Sequence, residues 1–279
     1  MSRLIVNADD FGLTSGVNRA IVELHEAGVL TSATLMAKAR ATDEAIAMAL
    51  ERPTLGVGCH VVLVDGRPIL PPEKISSLID GSSGEFYATL GKLLPRLLTG
   101  SVRAEDIEAE AAAQIRHLQE RGLKLTHIDT HKHTHMFPKV LRAVLRAAKS
   151  AGITAVRNPF EPEWAVALAK RAPLLRRAEV AVLRKIGPRC LRIMREAGFR
   201  TTDGTIAVAA TGILEESGVR SLLEHLPEGC WEFVTHPGYN DAELAQVRTR
   251  LRESRDLERR ALIAIQEADG VQLVSFAKL

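Results

Sequence analysis

Apolar and polar positions along the chain follow two alternating patterns. Short runs rich in β-branched residues predict strands, whereas longer stretches with apolar residues three or four positions apart predict amphipathic helices. The predicted strands cover residues 4–7, 30–36, 55–63, 124–129, 153–157, 205–210, 231–235 and 271–276. The predicted helices cover residues 15–27, 42–50, 86–98, 104–121 and 138–151, with another from about residue 215 and a long one ending at about residue 267. This alternation predicts an α/β fold with a mostly parallel sheet and helices outside it.

The number of strands favours a closed sheet over an open one. Seven or eight strands in 279 residues predict a (β/α) TIM-barrel-like fold, distorted or incomplete, with residues 1–279 as a single domain. A doubly wound open sheet is the second choice. The first strand runs into Asp9-Asp10-Phe11-Gly12 and not into a glycine-rich phosphate loop, which argues against a nucleotide cofactor.

Two segments break the regular alternation. Residues 65–84, rich in proline and glycine, form a predicted loop insertion of the kind that usually carries substrate contacts. Residues 161–198 form a predicted helical excursion, and its 170–195 part holds nine lysines and arginines against one acid, with apolar residues between them. Such a stretch either rests on an anionic membrane surface or packs its apolar side on the barrel.

Composition narrows the class of protein. A hydrophobic fraction of 46% and a charged fraction of 25% are typical of a globular protein with its own core. A net charge of +3 and few aromatic residues argue against a nucleic-acid partner. Three scattered cysteines, no signal-peptide pattern and no membrane span predict a cytoplasmic protein, associated with the inner leaflet if the basic segment binds membrane.

Histidines cluster at the end of the fourth predicted strand. Four of the nine histidines in the chain lie within residues 127–135, which read His-Ile-Asp-Thr-His-Lys-His-Thr-His. If this stretch is a strand, alternate side chains share one face and point toward one cavity. Active sites of (β/α) barrels lie at this end of the strands, so we expect a functional site here. The alternative is a solvated, histidine-rich loop.

Other strand ends add groups that complement the histidines. Asp9 and Asp10 end the first strand, His60 ends the third, Arg157 the fifth, and His236 follows a later one. One carboxylate and two neutral imidazoles, with coordination positions left open, are a recurring catalytic metal site. His236 could then act as a general acid, and Arg157 could orient a carboxylate. The competing interpretations are that the two acids cap the following helix and that His60 is a core residue.

These motifs resemble those of the YdjC-like carbohydrate deacetylases. The resemblance rests on Asn7-Ala-Asp-Asp-Phe-Gly12, Gly58-Cys-His60, His127-Ile-Asp-Thr-His-Lys-His-Thr-His135 and His236-Pro-Gly238. It runs from the first strand to the last, and it implies a barrel-like (β/α) scaffold distantly related to the polysaccharide deacetylases.

The resemblance also implies roles for individual residues. Asp10, His60 and His131 would bind one divalent metal ion, Asp9 would be the general base, and His236 would be the acid that protonates the leaving amine. The remaining polar residues would contact the substrate or support the metal ligands: Asp129, His133, His135 and, from its strand-end position, Arg157. Magnesium is the metal that the resemblance implies, whereas two imidazole ligands favour zinc or another transition ion.

The substrate follows from a finer resemblance. Residues 58–73 and 77–80 are similar to the hopanoid-biosynthesis branch, which implies an N-acetylglucosaminyl hopanoid as substrate and an N-acetylated glycan or glycolipid as partner. A chitooligosaccharide deacetylase of the diacetylchitobiose type is the alternative. A two-histidine-one-carboxylate iron oxygenase is disfavoured by the βα alternation, and a non-enzymatic metal- or glycan-binding protein stays open. A monomer and a homodimer both stay open.

Overall fold

The computed structural model describes residues 2–81 and 83–279, which form one parallel sheet surrounded by helices. The strands are β1 (Ser2–Phe11), β2 (Ser32–Leu35), β3 (Gly56–Val61), β4 (Ile128–Thr130), β5 (Gly204–Ile206), β6 (Gly229–Thr235) and β7 (Val271–Leu273). The α-helices are α1 (Ser15–Glu26), α2 (Thr42–Leu50), α3 (Leu90–Leu98), α4 (Ala104–Glu120), α5 (Pro138–Ser150), α6 (Glu163–Leu168), α7 (Leu174–Arg184), α8 (Gly187–Glu196), α9 (Glu216–Glu224) and α10 (Ser254–Ala261).

The long strand β1 is the centre of the sheet. The strand order is β4-β3-β2-β1-β6-β5, and β7 pairs in parallel with the first residues of β1. Side chains of β1 from Leu4 to Phe11 are buried without alternation. This is the pattern of a parallel strand that is covered on both faces, so the sequence prediction of a parallel α/β sheet is confirmed.

Single bridges connect the two edges of the sheet. Ile128 in β4 pairs with Val156, and the neighbouring Ala155 pairs with Arg200, which leads toward β5. The sheet is therefore a distorted, incompletely closed barrel; a regular TIM barrel stays a prediction. The strand predicted at 153–157 is wrong, because only these bridges form there.

Helix ends follow local sequence signals. Thr14 caps α1 by accepting a hydrogen bond from the Val17 backbone N–H at 3.3 Å, and Gly28, at φ +76°, follows its end. The predicted bounds of α2 are confirmed, and those of α1, α4 and α5 hold within a residue. The long helix predicted to end at residue 267 is wrong: α10 ends at Ala261 and continues as a 3-10 helix, Leu262–Glu267, a common way for a helix to tighten before it stops.

The basic segment folds into α6, α7 and α8. Val180 of α7 is buried in a small apolar cluster that also contains Val234 of β6. The outer side of α7 is uncovered, with Leu174, Leu175 and Val182 exposed by 80%, 73% and 61%. Some apolar residues of the basic segment are therefore buried in the protein, and others are exposed to solvent. Among the described helices none is long and apolar enough to cross a membrane.

The predicted loop insertion is anchored at several points. Its Ser82 lies outside the described residues. Pro72–Leu78 forms a 3-10 helix, and the buried carboxylate of Glu110 accepts the backbone N–H groups of Ile69 and Leu70 at 2.8 and 3.0 Å. The loop is therefore held against α4, and it lines an open cavity of about 320 Å³ with Lys38 in its wall.

Candidate active site

Polar side chains from four strand ends meet at one edge of the sheet. Parallel strands present their carboxyl ends on the same side, and here β1, β3, β4 and β6 bring Asp10, His60, Asp129 and His236 together with Asp9. In the register, His60 pairs with Asp129 on the adjacent strand. The structure therefore assembles in one place the polar groups that the sequence analysis located separately.

An irregularity in β1 lets two consecutive acids face the same site. Neighbouring residues on a regular strand point to opposite faces. Here Asp10 adopts φ +65°, and the register with β2 shifts between Ala8 and Phe11. Positive φ is costly for a residue other than glycine and is found mostly where function requires it. The carboxylates of Asp9 and Asp10 both reach His60 as a result.

Asp10, His60 and His131 form a group that fits a divalent metal ion. Asp10 Oδ1 lies 3.2 Å from His131 Nδ1 and 3.5 Å from His60 Nε2, and the two ring nitrogens are 3.3 Å apart. Asp10 Oδ1 is buried and has no hydrogen-bond partner among the described residues. One carboxylate oxygen and two imidazole nitrogens that converge in this way are a suitable donor set for such an ion.

Asp129 orients the imidazole of His60. Its Oδ1 lies 2.7 Å from His60 Nδ1, so Nε2 faces Asp10. Burial lowers the pKa of His60, but the charges of Asp129, Asp9 and Asp10 outweigh it and raise the pKa to about 9. A carboxylate behind a metal-binding histidine fixes the ring and strengthens it as a ligand.

Arg157 holds Asp9, the acid that precedes Asp10 in the chain. Its Nη1 and Nη2 donate to Asp9 Oδ2 and Oδ1 at 2.8 and 2.6 Å. Arg157 is fully buried and also contacts Asp129 at 2.5 Å and Glu232 at 2.6 Å. Burial opposes ionisation, but the charge of Arg157 outweighs it and holds the pKa of Asp9 well below its usual range. Asp9 is therefore expected to be ionised at neutral pH.

His236 lies across from Asp9, directly after β6. Its Nε2 is 3.8 Å from Asp9 Oδ2 and its Nδ1 is 3.9 Å from Glu258 Oε2. The side chains of His236 and His131 are 13% and 17% exposed, whereas those of Asp9, Asp10 and His60 are at most 4% exposed. Solvent, and with it a substrate, reaches the site on the side where these two histidines lie.

The histidine cluster is arranged differently from the prediction. Strand β4 ends at Thr130, and His131–Met136 forms tight 3-10 turns with Lys132 and His133 at φ +55° and +51°. The expectation that alternate residues share one strand face is therefore wrong. The backbone leaves the strand at the first histidine after the Asp-Thr step, and of the three histidines beyond it only His131 lies beside Asp10.

The other histidines of the cluster do not join the Asp10–His60–His131 group. His127 stacks on Phe276 at 3.8 Å, and burial lowers its pKa to about 3. His135 Nδ1 is 2.7 Å from Thr130 Oγ1, and burial also lowers the pKa of His135, to about 4. His133 is half-buried and packs edge-on against His135 with ring centres 6.2 Å apart. The lowered pKa values favour neutral rings, and the contact between His135 and Thr130 supports the turn that carries His131.

Sequence reasoning missed three charged residues of the site. Glu232 is fully buried inside β6, and this acid in an apolar strand was a visible signal. Arg255 and Glu258 lie on α10: Arg255 Nη2 donates to Asp10 Oδ2 at 2.5 Å, and Glu258 Oε2 accepts the backbone N–H of His236 at 2.7 Å. No local signal marks these two among the many charges of α10.

Comparisons with known proteins identify the family and relatives of similar fold. The family model described as YdjC-like protein matches residues 3–267. The chain is 34% identical to a protein from Brevibacillus brevis named carbohydrate deacetylase, with 99% of each chain covered. It is 33% identical to one of the same name from Geobacillus stearothermophilus, covering 98% of this chain and 96% of that protein. A solved structure from Enterococcus faecalis V583, of a protein proposed to cleave cellobiose phosphate, superposes with a TM-score of 0.76 at 26% identity and covers 99% and 98% of the two chains.

Proposed function

Since the chain belongs to the YdjC-like protein family, we propose that it is a metal-dependent N-deacetylase that hydrolyses the acetamide of an N-acetylglucosamine-containing substrate. The observation that carries the proposal is the Asp10–His60–His131 group, which has the carboxylate of Asp9 and the imidazole of His236 beside it. Relatives named carbohydrate deacetylases, aligned over almost their whole length, support it.

The metal would be held by Asp10 Oδ1, His60 Nε2 and His131 Nδ1. When bound, a divalent ion supplies Lewis acidity toward the acetyl carbonyl and toward water. Two imidazoles among three donors favour zinc or another transition ion, whereas the family resemblance favours magnesium. Metal analysis of protein purified without added metal, followed by reconstitution with each ion, decides between them.

Asp9 and His236 would move the protons of the reaction. Asp9, positioned by both nitrogens of the Arg157 fork, accepts a proton from the attacking water. The water oxygen bonds to the acyl carbon, the C–N bond breaks, and His236 donates a proton to the departing amine nitrogen. The products are acetate and a free amino sugar. The separation of 3.8 Å between Asp9 Oδ2 and His236 Nε2 supports roles for both groups at one amide.

Two substitutions test this assignment. Asp10→Ala removes a metal ligand, so we expect loss of both the bound ion, measured by equilibrium dialysis, and acetate release. Asp9→Asn keeps the size of the side chain and the metal ligands, so we expect bound metal with activity lower by about 10²–10⁴-fold. A fully active Asp9→Asn variant would contradict the role of Asp9. Wild-type protein that binds metal but releases no acetate from any N-acetylated sugar would favour a non-enzymatic metal- or glycan-binding protein.

A glycolipid is the substrate that we favour, specifically an N-acetylglucosaminyl hopanoid. The supporting observation is α7, which shares a buried apolar cluster with β6 and exposes Leu174, Leu175 and Val182 next to basic residues. Such a face can rest on the anionic, cytoplasmic surface of a membrane and bring a lipid-linked sugar to the site. The alternative substrate is a diacetylchitobiose-type sugar, for which the loop cavity beside Lys38 offers a polar and apolar wall.

A substrate panel separates the two classes. Acetate release is compared for N-acetylglucosaminyl hopanoid in anionic vesicles and for diacetylchitobiose in solution. We expect the glycolipid to be preferred, and we expect Leu174→Glu to weaken sedimentation with vesicles without changing turnover of the soluble sugar. Preference for the soluble sugar with no vesicle binding would support the chitooligosaccharide alternative.

A further inference from the structure

Helix α10 buries two opposite charges one turn apart. Arg255 and Glu258 are each 1% exposed, whereas Leu257 and Arg260 on the same helix face solvent. Burying charges is expensive unless each is paired or hydrogen-bonded. Glu258 is hydrogen-bonded through both carboxylate oxygens, whereas Arg255 pairs with Asp10 through Nη2 and keeps Nε and Nη1 without a partner among the described residues. Both residues contact the active site, which makes α10 part of the site.

Arg255 acts on the metal-binding carboxylate. Its Nη2 donates to Asp10 Oδ2 at 2.5 Å, which leaves Oδ1 facing His60 and His131. The backbone of Arg255 is itself held by the segment that follows His236. The Gly238 N–H donates to the Arg255 carbonyl at 3.2 Å, and a Cβ on Gly238 would lie only 3.0 Å from Arg255 Cδ. The glycine of the His-Pro-Gly motif thus lets Arg255 reach Asp10.

Glu258 acts on the opposite group, His236. Its Oε2 accepts the His236 backbone N–H at 2.7 Å and the Thr235 hydroxyl at 3.0 Å, and lies 3.9 Å from His236 Nδ1. Its Oε1 accepts the Gly212 backbone N–H at 3.2 Å. The carboxylate thereby fixes the backbone of His236, and its charge lies near the ring nitrogen Nδ1, which has no hydrogen-bond partner among the described residues. The other ring nitrogen, Nε2, lies on the side of Asp9.

We propose that Arg255 and Glu258 are positioning residues, through which α10 sets the metal carboxylate of Asp10 and the proton-donating ring of His236 relative to each other. Neither needs to touch the substrate. The proposal rests on the proposed function, because it presumes a metal at Asp10 and a proton donor at His236. It adds two residues, and one rigid element, that the motifs do not contain.

Glu258 is tested through the leaving group. Glu258→Gln retains side-chain size but weakens the hold on an imidazole that must carry the proton. We expect kcat on an N-acetyl amino sugar to fall at least 10-fold with KM changed less than 3-fold. On an aryl acetate, whose leaving group departs without a proton, we expect less than 3-fold loss. Equal losses on both substrates would overturn the role of Glu258. The conservative Glu258→Asp should restore part of the amide activity, and Arg260→Gln, on the exposed side of α10, should match wild type on both substrates.

Arg255 is tested by metal affinity, independently of turnover. Residues behind metal ligands typically contribute 10–100-fold to affinity, so we expect Arg255→Gln to raise the Kd for zinc about 10–100-fold in a chelator-competition assay. Arg255→Lys should be intermediate, and Arg260→Gln should bind as wild type. Unchanged zinc affinity in folded Arg255→Gln protein would overturn this role.

The two levels of proposal fail in different ways. Asp10→Ala and His236→Ala are measured beside the α10 variants. If Asp10→Ala binds zinc as wild type does, or if His236→Ala loses amide and ester activity equally, the proposed metal centre or proton donor is wrong. If those variants behave as expected and the α10 variants match wild type, only the inference about α10 is wrong.

Discussion

Replacing Arg157 by methionine tests whether this residue neutralises the buried acids of the site. Arg157 is fully buried and contacts the carboxylates of Asp9, Asp129 and Glu232 at 2.5–2.8 Å. Methionine replaces the apolar stem of the arginine but not its guanidinium group, so these charges are left unpaired. Removing one partner of a buried ion pair typically costs about 3–5 kcal/mol. The usual stability of a domain is about 5–15 kcal/mol, so a large part of it should be lost.

The stability difference between wild type and Arg157→Met should depend on pH in a predictable direction. The charge of Arg157 outweighs burial and lowers the pKa of Asp9 and Asp129 in the folded protein. The stability that these two carboxylates contribute is therefore present above their pKa in the unfolded chain, about 4. It is lost as pH falls through their pKa values in the folded protein. In Arg157→Met this contribution is missing. The stability gap between wild type and variant should therefore be largest near neutral pH and narrow below about pH 4.

Urea unfolding followed by circular dichroism, with chelator present, measures this gap between pH 3.5 and 8. Glu232→Gln is the matched control, because it keeps an oxygen for the Nε of Arg157. Burial raises the pKa of Glu232 to about 7, so the wild type loses stability as pH rises from about 4.5 through about 7, and the glutamine variant should not. A gap for Arg157→Met below about 1 kcal/mol at pH 7, or one independent of pH, would refute the reasoning.

Three further outcomes are expected. A Cβ on Gly58 would lie 2.5 Å from the buried ring of His127, so Gly58→Ala should destabilise the fold by about 1–3 kcal/mol in thermal melts, whereas Gly91→Ala on the exposed side of α3 should not. Burial raises the pKa of Glu161 to about 7, so the stability of the wild type falls as pH rises from about 4.5 to 7. Between pH 5 and 8, the free energy of unfolding of Glu161→Gln should therefore rise by up to about 3 kcal/mol relative to that of the wild type. A difference that does not change with pH would contradict this. Saturating zinc, at about 100 times its Kd, should stabilise the wild type by about 2.7 kcal/mol and Asp10→Ala not at all in calorimetry; an equal shift in both would place the ion elsewhere.

The strand ends of the site were predictable from the sequence. Asp9, Asp10, His60 and His236 each follow an apolar run too short and too β-branched to be a helix. Parallel strands place their carboxyl ends together, so the meeting of these side chains follows from the fold class alone. The structure confirms the parallel α/β sheet on which this step depends.

The path after β4 was not predictable from periodicity. Alternating polar residues from His127 to His135 satisfy a strand pattern, yet the chain turns at His131 because Lys132 and His133 adopt left-handed conformations. A glycine in the sequence would have indicated a backbone with positive φ, whereas lysine and histidine give no such indication. In the structure it is His131 that lies next to Asp10. The family resemblance favours this histidine, whereas spacing alone does not distinguish it from His133 and His135.

The two site residues of α10 could not be identified from the sequence for a different reason. Arg255 and Glu258 lie in a helix where most residues are charged, and local sequence does not show which side of such a helix is buried. Their burial depends on contacts with Asp10 and His236, about 245 and 22 positions away in the chain. A tertiary contact of that kind can be read only from coordinates.

Charge balance explains why this cluster of acids fits a divalent cation. Five carboxylates, those of Asp9, Asp10, Asp129, Glu232 and Glu258, are buried at the site, and the arginines that pair with them among the described residues are Arg157 and Arg255. If all five carboxylates were ionised, the site would carry an excess of negative charge, which a divalent ion would reduce. The protein without metal bears this excess in part by protonation: burial, with Asp9 and Asp129 nearby, keeps the pKa of Glu232 at about 7. A cation beside Asp10 would relieve the repulsion, so the acids favour metal binding even where they do not touch the ion.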